Sequence, residues 1–123
     1  MRCIMGANIR VQINKELLKG STVILILKLL ERKPMYGYEM IKEMENTSGG
    51  VFQFKEGTLY PILHSLELDG MLEAYWSDAQ GNRQRKYYNL TKQGQSQLEE
   101  KRREWIVFRS AVEQILGEAI VCL

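Results

Sequence analysis

Apolar residues along this chain fall into blocks with different periods. Between Asn14 and Pro34, the residues Leu17, Leu18, Val23, Ile24, Leu27 and Leu30 recur at helical spacing. Asn14 has an N-capping side chain and is followed by Lys15 and Glu16, so a helix is expected to start there. Leu25, Ile26 and Leu29 fall off that stripe, and a helix apolar nearly all round is buried on two sides. In so short a chain, that points to a second subunit. Pro34 ends the helix, because the residue before a proline avoids the helical region. A second helix is expected over 37–45, with Tyr38, Ile41 and Met44 on one face and Glu39, Lys42 and Glu43 outside. Asn46-Thr47-Ser48-Gly49-Gly50 has loop composition, and Val51-Phe52-Gln53-Phe54 alternates like a short strand.

The pattern tightens from Glu56 to Gly70. Leu59, Ile62 or Leu63, and Leu66 share one stripe, while Tyr60, Pro61, His64 and Glu67 lie on the opposite face. Gly57 and Thr58 mark the expected start, Pro61 is placed in the first turn, and Gly70 is the stop. Two aromatic-rich runs follow, Met71–Trp76 and Arg85–Leu90, joined by the turn cluster and basic segment Gln80-Gly81-Asn82-Arg83-Gln84-Arg85-Lys86. They are expected to pair as a hairpin with a long loop. Thr91 is positioned to cap a last long helix, in which Leu98, Trp105, Phe108, Val112, Ile115 and Ala119 step by 7, 3, 4, 3 and 4. That spacing is a heptad-like seam. Its early turns are expected to be wet, since positions 101 and 102 are Lys and Arg.

Composition narrows the class more by exclusion than by signal. The 123 residues suit one domain with a modest core, and 45% apolar with 26% charged residues is ordinary for a globular chain. The net charge of +2 neither demands nor excludes a nucleic-acid partner, so the placement of charge has to decide. No apolar run approaches the roughly 18 residues of a membrane span, and the first residues are too weakly apolar for a secretory signal. A cytoplasmic location is expected. Cys3 and Cys122 stand at opposite ends, and with only one histidine no multi-histidine metal site is expected. Nucleophile elbows, phosphate loops and Cys-x-x-Cys pairs are absent from the sequence, so neither catalysis nor a cofactor is expected.

A helix leading directly into a hairpin with a basic tip is the layout of a winged helix that grips DNA. The motifs go further. Gly57-Thr58-Leu59-Tyr60-Pro61-x-Leu63-x-x-Leu66-Glu67-x-x-Gly70, then Arg85-Lys86-Tyr87-Tyr88-x-Leu90-Thr91-x-x-Gly94, resembles the signature of PadR-type transcriptional regulators. Tyr36-Gly37-Tyr38-Glu39 and Leu18-x-Gly20-Ser21 fit the same pattern, and the resemblance covers residues 14 to about 116. It implies a mostly α (α+β) winged helix-turn-helix with a long C-terminal dimerisation helix. It also implies a homodimeric repressor of the small subgroup that has one such helix. The expected division is a DNA-binding domain at 14–90 and a dimerisation helix at 91–117, with tails at 1–13 and 118–123. In some members a tryptophan on the last helix stacks on flat aromatic drugs at the dimer interface, and Trp105 falls at the corresponding place.

The candidate chemistry follows from these positions. Thr58 and Tyr60 can donate to phosphate, Pro61 and the Tyr60 ring can touch a thymine methyl or a sugar, and His64 reaches from the next turn. Lys55 adds charge ahead of the helix. On the wing, Arg83, Arg85 and Lys86 suit phosphate contact or entry into a minor groove, with Arg83 the leading candidate. A surface helix and a solvated hairpin tip would show the same residues without any DNA. Trp105 suits a planar aromatic ligand, but its seam spacing fits simple packing of the dimer equally well. Leu98, Phe108, Val112 and Ile115 are the expected dimer contacts. The Glu99-Glu100/Lys101-Arg102-Arg103 run reads as helical ion pairs. The partners expected are a pseudo-palindromic double-stranded DNA operator, a second copy of the chain, and a small aromatic ligand. The rival readings are a winged helix used for protein–protein contact, and a regulator with no ligand at all.

Overall fold

The apolar block before Pro34 forms two helices rather than one in the computed structural model, which describes residues 13–77 and 84–117. Helix α1 spans Lys15–Lys19 and α2 spans Thr22–Arg32. Asn14 caps α1 as expected, its side chain accepting from the Glu16 N–H at 2.8 Å. The break falls at Gly20-Ser21, where helix propensity is low and hydroxyls compete for backbone carbonyls. There the Leu18 carbonyl accepts both the Ser21 N–H at 2.9 Å and the Thr22 hydroxyl at 3.0 Å. The break resets the helical phase. Ile26 and Leu29, which a single helix would place off the stripe, are buried, whereas Leu17 is 64% exposed.

Lys33, forced out of the helical region by Pro34, is fully extended and carries the chain into β1, Met35–Tyr36. Helix α3 spans Gly37–Thr47 and α4 spans Glu56–Leu68. The strand expected at Val51–Phe54 does not form. That segment is a loop which buries Phe54 and packs Phe52 against the core. The strand that joins the hairpin is instead the two-residue β1, too short for any periodicity to reveal. The hairpin strands are β2, Leu72–Ser77, and β3, Arg85–Leu90, and the antiparallel sheet runs β1-β3-β2. With a neighbour on each side of β3, Val51–Phe54 has no place beside the central strand.

Helix α4 begins at Glu56, so Pro61 lies in the second turn, one turn deeper than its sequence position suggests. Its missing N–H leaves the Gly57 carbonyl without its i+4 donor. Gly57 is exposed, so water can take that role. Leu59, Leu63 and Leu66 form the buried stripe and meet α2, α3, Leu72 and Tyr88 in one core. Helix α5, Lys92–Leu116, is the longest element. The Thr91 hydroxyl accepts from the Gly94 N–H at 3.0 Å and donates toward the carbonyls of Gly70 and Met71. Gly94 lies so close to the Met71 carbonyl and the Leu90 side chain that a β-carbon would collide with both. The helix-turn-helix, the three-stranded wing and α5 together make a winged helix-turn-helix.

Candidate nucleic-acid interface and the apolar groove behind it

Helix α4 turns Tyr60, Pro61 and His64 outward, opposite its leucine stripe. Tyr60 is held rather than free. Its hydroxyl end packs on Gly37, where any β-carbon would clash, so the bare backbone of α3 sets the position of the ring. Partial burial raises the phenol pKa, with smaller contributions from Glu56 and Tyr88. Tyr60 therefore remains a neutral donor at physiological pH. Lys55 and Thr58 are exposed near the start of α4.

The wing approaches from the other side. Its register pairs Trp76 with Lys86 and Ser77 with Arg85. A groove of about 630 Å³ separates helix from wing and is lined by Tyr60, Pro61, His64, Arg85 and Lys86, with Tyr36, Trp76, Gln84 and Tyr88. Five of the eight DNA-contact candidates thus share one concavity. Lys55 and Thr58 lie outside its lining, and Arg83 lies outside the described residues. The two described wing cations differ. The Arg85 guanidinium stacks 4.6 Å from the centre of the Tyr36 ring. The Lys86 ammonium points back, 3.4 Å from a Glu67 carboxylate oxygen and 5.5 Å from the Tyr88 ring centre. Burial works against the Lys86 charge, but Tyr88 and Glu67 outweigh it and raise the pKa. Sequence reasoning did not single out Trp76, although it is 62% exposed at the mouth of the groove. Its position opposite Lys86 in the hairpin register was the available signal.

A second concavity, of about 410 Å³, lies between α5 and the α1–α2 pair. Leu17, Val23, Ile24, Trp105 and Phe108 supply its apolar wall, and Glu16, Lys101 and Glu104 lie at the rim. Trp105 also borders a groove of about 330 Å³ that includes Leu25, Phe52 and Arg102, so it stands between two apolar recesses. Arg109 sits over the Trp105 ring at 5.5 Å. Beyond Trp105, Phe108 and Ile115 are largely exposed and Val112 partly so. Leu98 departs from that group. It is fully buried in the core of its own chain, so its side chain is not available to a second copy. Ala119 of the same seam lies outside the described residues. Among the described residues there is no His, Cys, Asp and Glu group suited to a metal ion, and no helix long and apolar enough to cross a membrane.

Fold and groove define a winged-helix DNA-binding protein. The profile of the transcriptional regulator PadR-like family matches residues 26–100. The chain is 34% identical over 101 residues to an uncharacterized protein of Lysinibacillus sphaericus, covering 82% of this chain and 93% of that one. Transcriptional regulator YqjI of Escherichia coli is 33% identical over 85 residues, which span 69% of this chain but only 39% of that longer protein. The crystal structure of a PadR family transcriptional regulator from Eggerthella lenta superimposes with a TM-score of 0.74 at 35% identity, covering 82% of this chain and 86% of that one. The chain belongs to the PadR-like family of transcriptional regulators, a family of non-enzymatic DNA-binding proteins.

Proposed function

We propose that the chain acts in the cytoplasm as a homodimeric repressor. Residues 14–90 form its DNA-reading head and residues 91–117 its dimerisation helix. The observation that carries the reading is the groove between α4 and the wing, which gathers Tyr60, Pro61, His64 and Arg85 beside one another. Tyr60 and His64 approach base edges and phosphates in the major groove, with Lys55 and Thr58 at the entry to the helix. The wing, with Arg83 and Arg85, lies along the flanking backbone. Two copies joined through the exposed apolar half of α5 and the α1–α2 side would set their α4 helices about 34 Å apart, one turn of DNA. The operator is then pseudo-palindromic, and its occupation blocks the polymerase.

Trp105, between its two apolar recesses, is the platform for a small planar aromatic ligand. Such a ligand releases DNA by binding a head-to-head spacing that does not fit the operator, and a differential affinity of a few kcal/mol is sufficient. The test is an anisotropy titration against DNA from the protein's own promoter region, at two salt concentrations and with random duplex as competitor. Site-selective binding that falls steeply with salt is the expected result. Equal, weak binding to both duplexes would reassign the winged helix to protein–protein contact.

A further inference from the structure

Helix α4 carries a carboxylate on the face that presents Tyr60 and His64. Glu67 follows Tyr60 by seven residues and His64 by three, so it shares their stripe. Its Oε1 atom is shut off from solvent and makes no well-formed hydrogen bond. The cation facing it is Lys86 of β3, at 3.4 Å. A solvent-excluded carboxylate oxygen without a partner is costly, and beside a polyanion it is more so. Lys86 relieves both costs only while it stays on Glu67. A lysine that swung out to a phosphate would leave that oxygen solvent-excluded and without its cation, beside the groove that Lys86 lines. Among the described residues this is also the ion pair that ties α4 to the hairpin.

Arg85 is placed differently. No carboxylate pairs with it among the described residues, and a guanidinium stacked on an aromatic face keeps its edge N–H donors free. The register reinforces the contrast by giving the two cations different neighbours, Ser77 across from Arg85 and Trp76 across from Lys86.

We propose that Glu67 and Lys86 form a strut that sets the angle between α4 and the wing, so that Lys86 is a positioning residue and not a phosphate contact. This inference rests on the DNA-reading function above. Arg85 is then the described wing cation that meets the backbone. Net charge alone would count both residues toward DNA affinity, whereas the strut removes one positive and one negative charge from the tally together.

The experiment measures operator affinity against salt for the full-length wild type, Arg85→Gln, Lys86→Gln, Glu67→Gln and the Lys86–Glu67 double variant. Loss of Arg85 should reduce the log–log salt slope by about 0.9, the amount for one phosphate contact on duplex DNA. Lys86→Gln should leave the slope unchanged. It should weaken binding about fivefold, Glu67→Gln should also weaken it, and the double variant should lose less than the two single losses combined, as expected for two residues acting as one unit. Lys86→Arg, which keeps a cation opposite Glu67, should recover affinity. The proposal is overturned if Lys86→Gln loses about 0.9 of slope while Glu67→Gln tightens binding, the pattern of a phosphate contact beside a repulsive carboxylate. A urea-denaturation cycle of the same variants without DNA supplies a separate decision. Non-additive losses support the strut, and strictly additive ones overturn it. A wild type that bound no duplex would instead sink the DNA-reading function, and the urea cycle would still decide the strut.

Discussion

Leu98 and Phe108 lie ten residues apart on α5, on what looks in sequence like one continuous seam. Leu98 has no exposed surface and Phe108 keeps 61% of its own. The first turns of the helix are the last wall of the winged domain, packed on α2 and the wing. The later turns carry Phe108, Val112 and Ile115, which the described residues leave largely or partly exposed, with Phe108 also walling the recess against α1–α2. One period serves two different surfaces. The first stabilises a protomer, and the second keeps an apolar face that the described residues leave open.

Truncation at the two sites separates them. Leu98→Ala should cost about 2–5 kcal/mol of unfolding free energy, the range for a buried leucine leaving a cavity, at every protein concentration. Urea denaturation across a hundredfold concentration range checks this. Phe108→Glu should leave the protomer folded and weaken self-association by about 2 kcal/mol or more, the size of a central interface contact. On the proposed homodimer, sedimentation should show a folded monomer for the variant and a dimer for the wild type. If Phe108→Glu unfolds the chain as Leu98→Ala does, the distinction between the two halves collapses.

The same contrast explains what the sequence made legible. Leu59 and Leu66, with Ile62 or Leu63 between them, were readable because a thirteen-residue helix leaves room for a clear period, and the structure buries Leu63. So were Thr91 as a cap and the two long strands of the hairpin. Leu98 was misplaced because periodicity reports that a side chain is covered and not by what. Two-residue β1 was invisible, since its place depends on the pairing of Met35 with Tyr88 and Tyr36 with Tyr87 from far along the chain. The alternation at Val51–Phe54 was real, but Phe54 satisfies it by entering the core from a loop. In the candidate interface, Tyr60, Pro61 and His64 followed from the face opposite the leucines. The different surroundings of Arg85 and Lys86 did not, because adjacent cations look alike until Tyr36 and Glu67 are placed beside them.

Thr91 sharpens the comparison at the joint where the wing becomes α5. Its hydroxyl fills two roles, capping the helix at Gly94 and reaching back to the carbonyls of Gly70 and Met71 behind α4. Thr91→Ala should cost about 1 kcal/mol, as for loss of an N-cap, while Thr91→Ser should retain most of the stability. Because this contact belongs to the anchored half, the loss should be the same in a Phe108→Glu background. A loss that appears only in the dimer would mean that the cap serves the exposed half instead.

The smallest expected effect lies at another tie between α5 and the body of the protein. The Gln95 amide donates to Glu31 of α2 at 2.8 Å, and Lys28 reaches the other oxygen of the same carboxylate at 2.7 Å. The hydrogen bond from Lys28, then that from Gln95, lowers the Glu31 pKa below its ordinary value of 4.5. A carboxylate whose pKa is depressed by folding contributes stability that is fully present above the unfolded value. That contribution is lost as pH falls through the lower folded value. Wild type should therefore exceed Glu31→Gln in stability near neutral pH, with the gap narrowing below about pH 4.5. The pair is partly open to water, so the gap is expected to be smaller than the loss at Thr91 and to shrink in high salt. Urea midpoints of both proteins between pH 7 and pH 3 measure it. A gap that stayed constant across that range would show that Glu31 holds α5 through packing of its side chain, with no contribution from its charge.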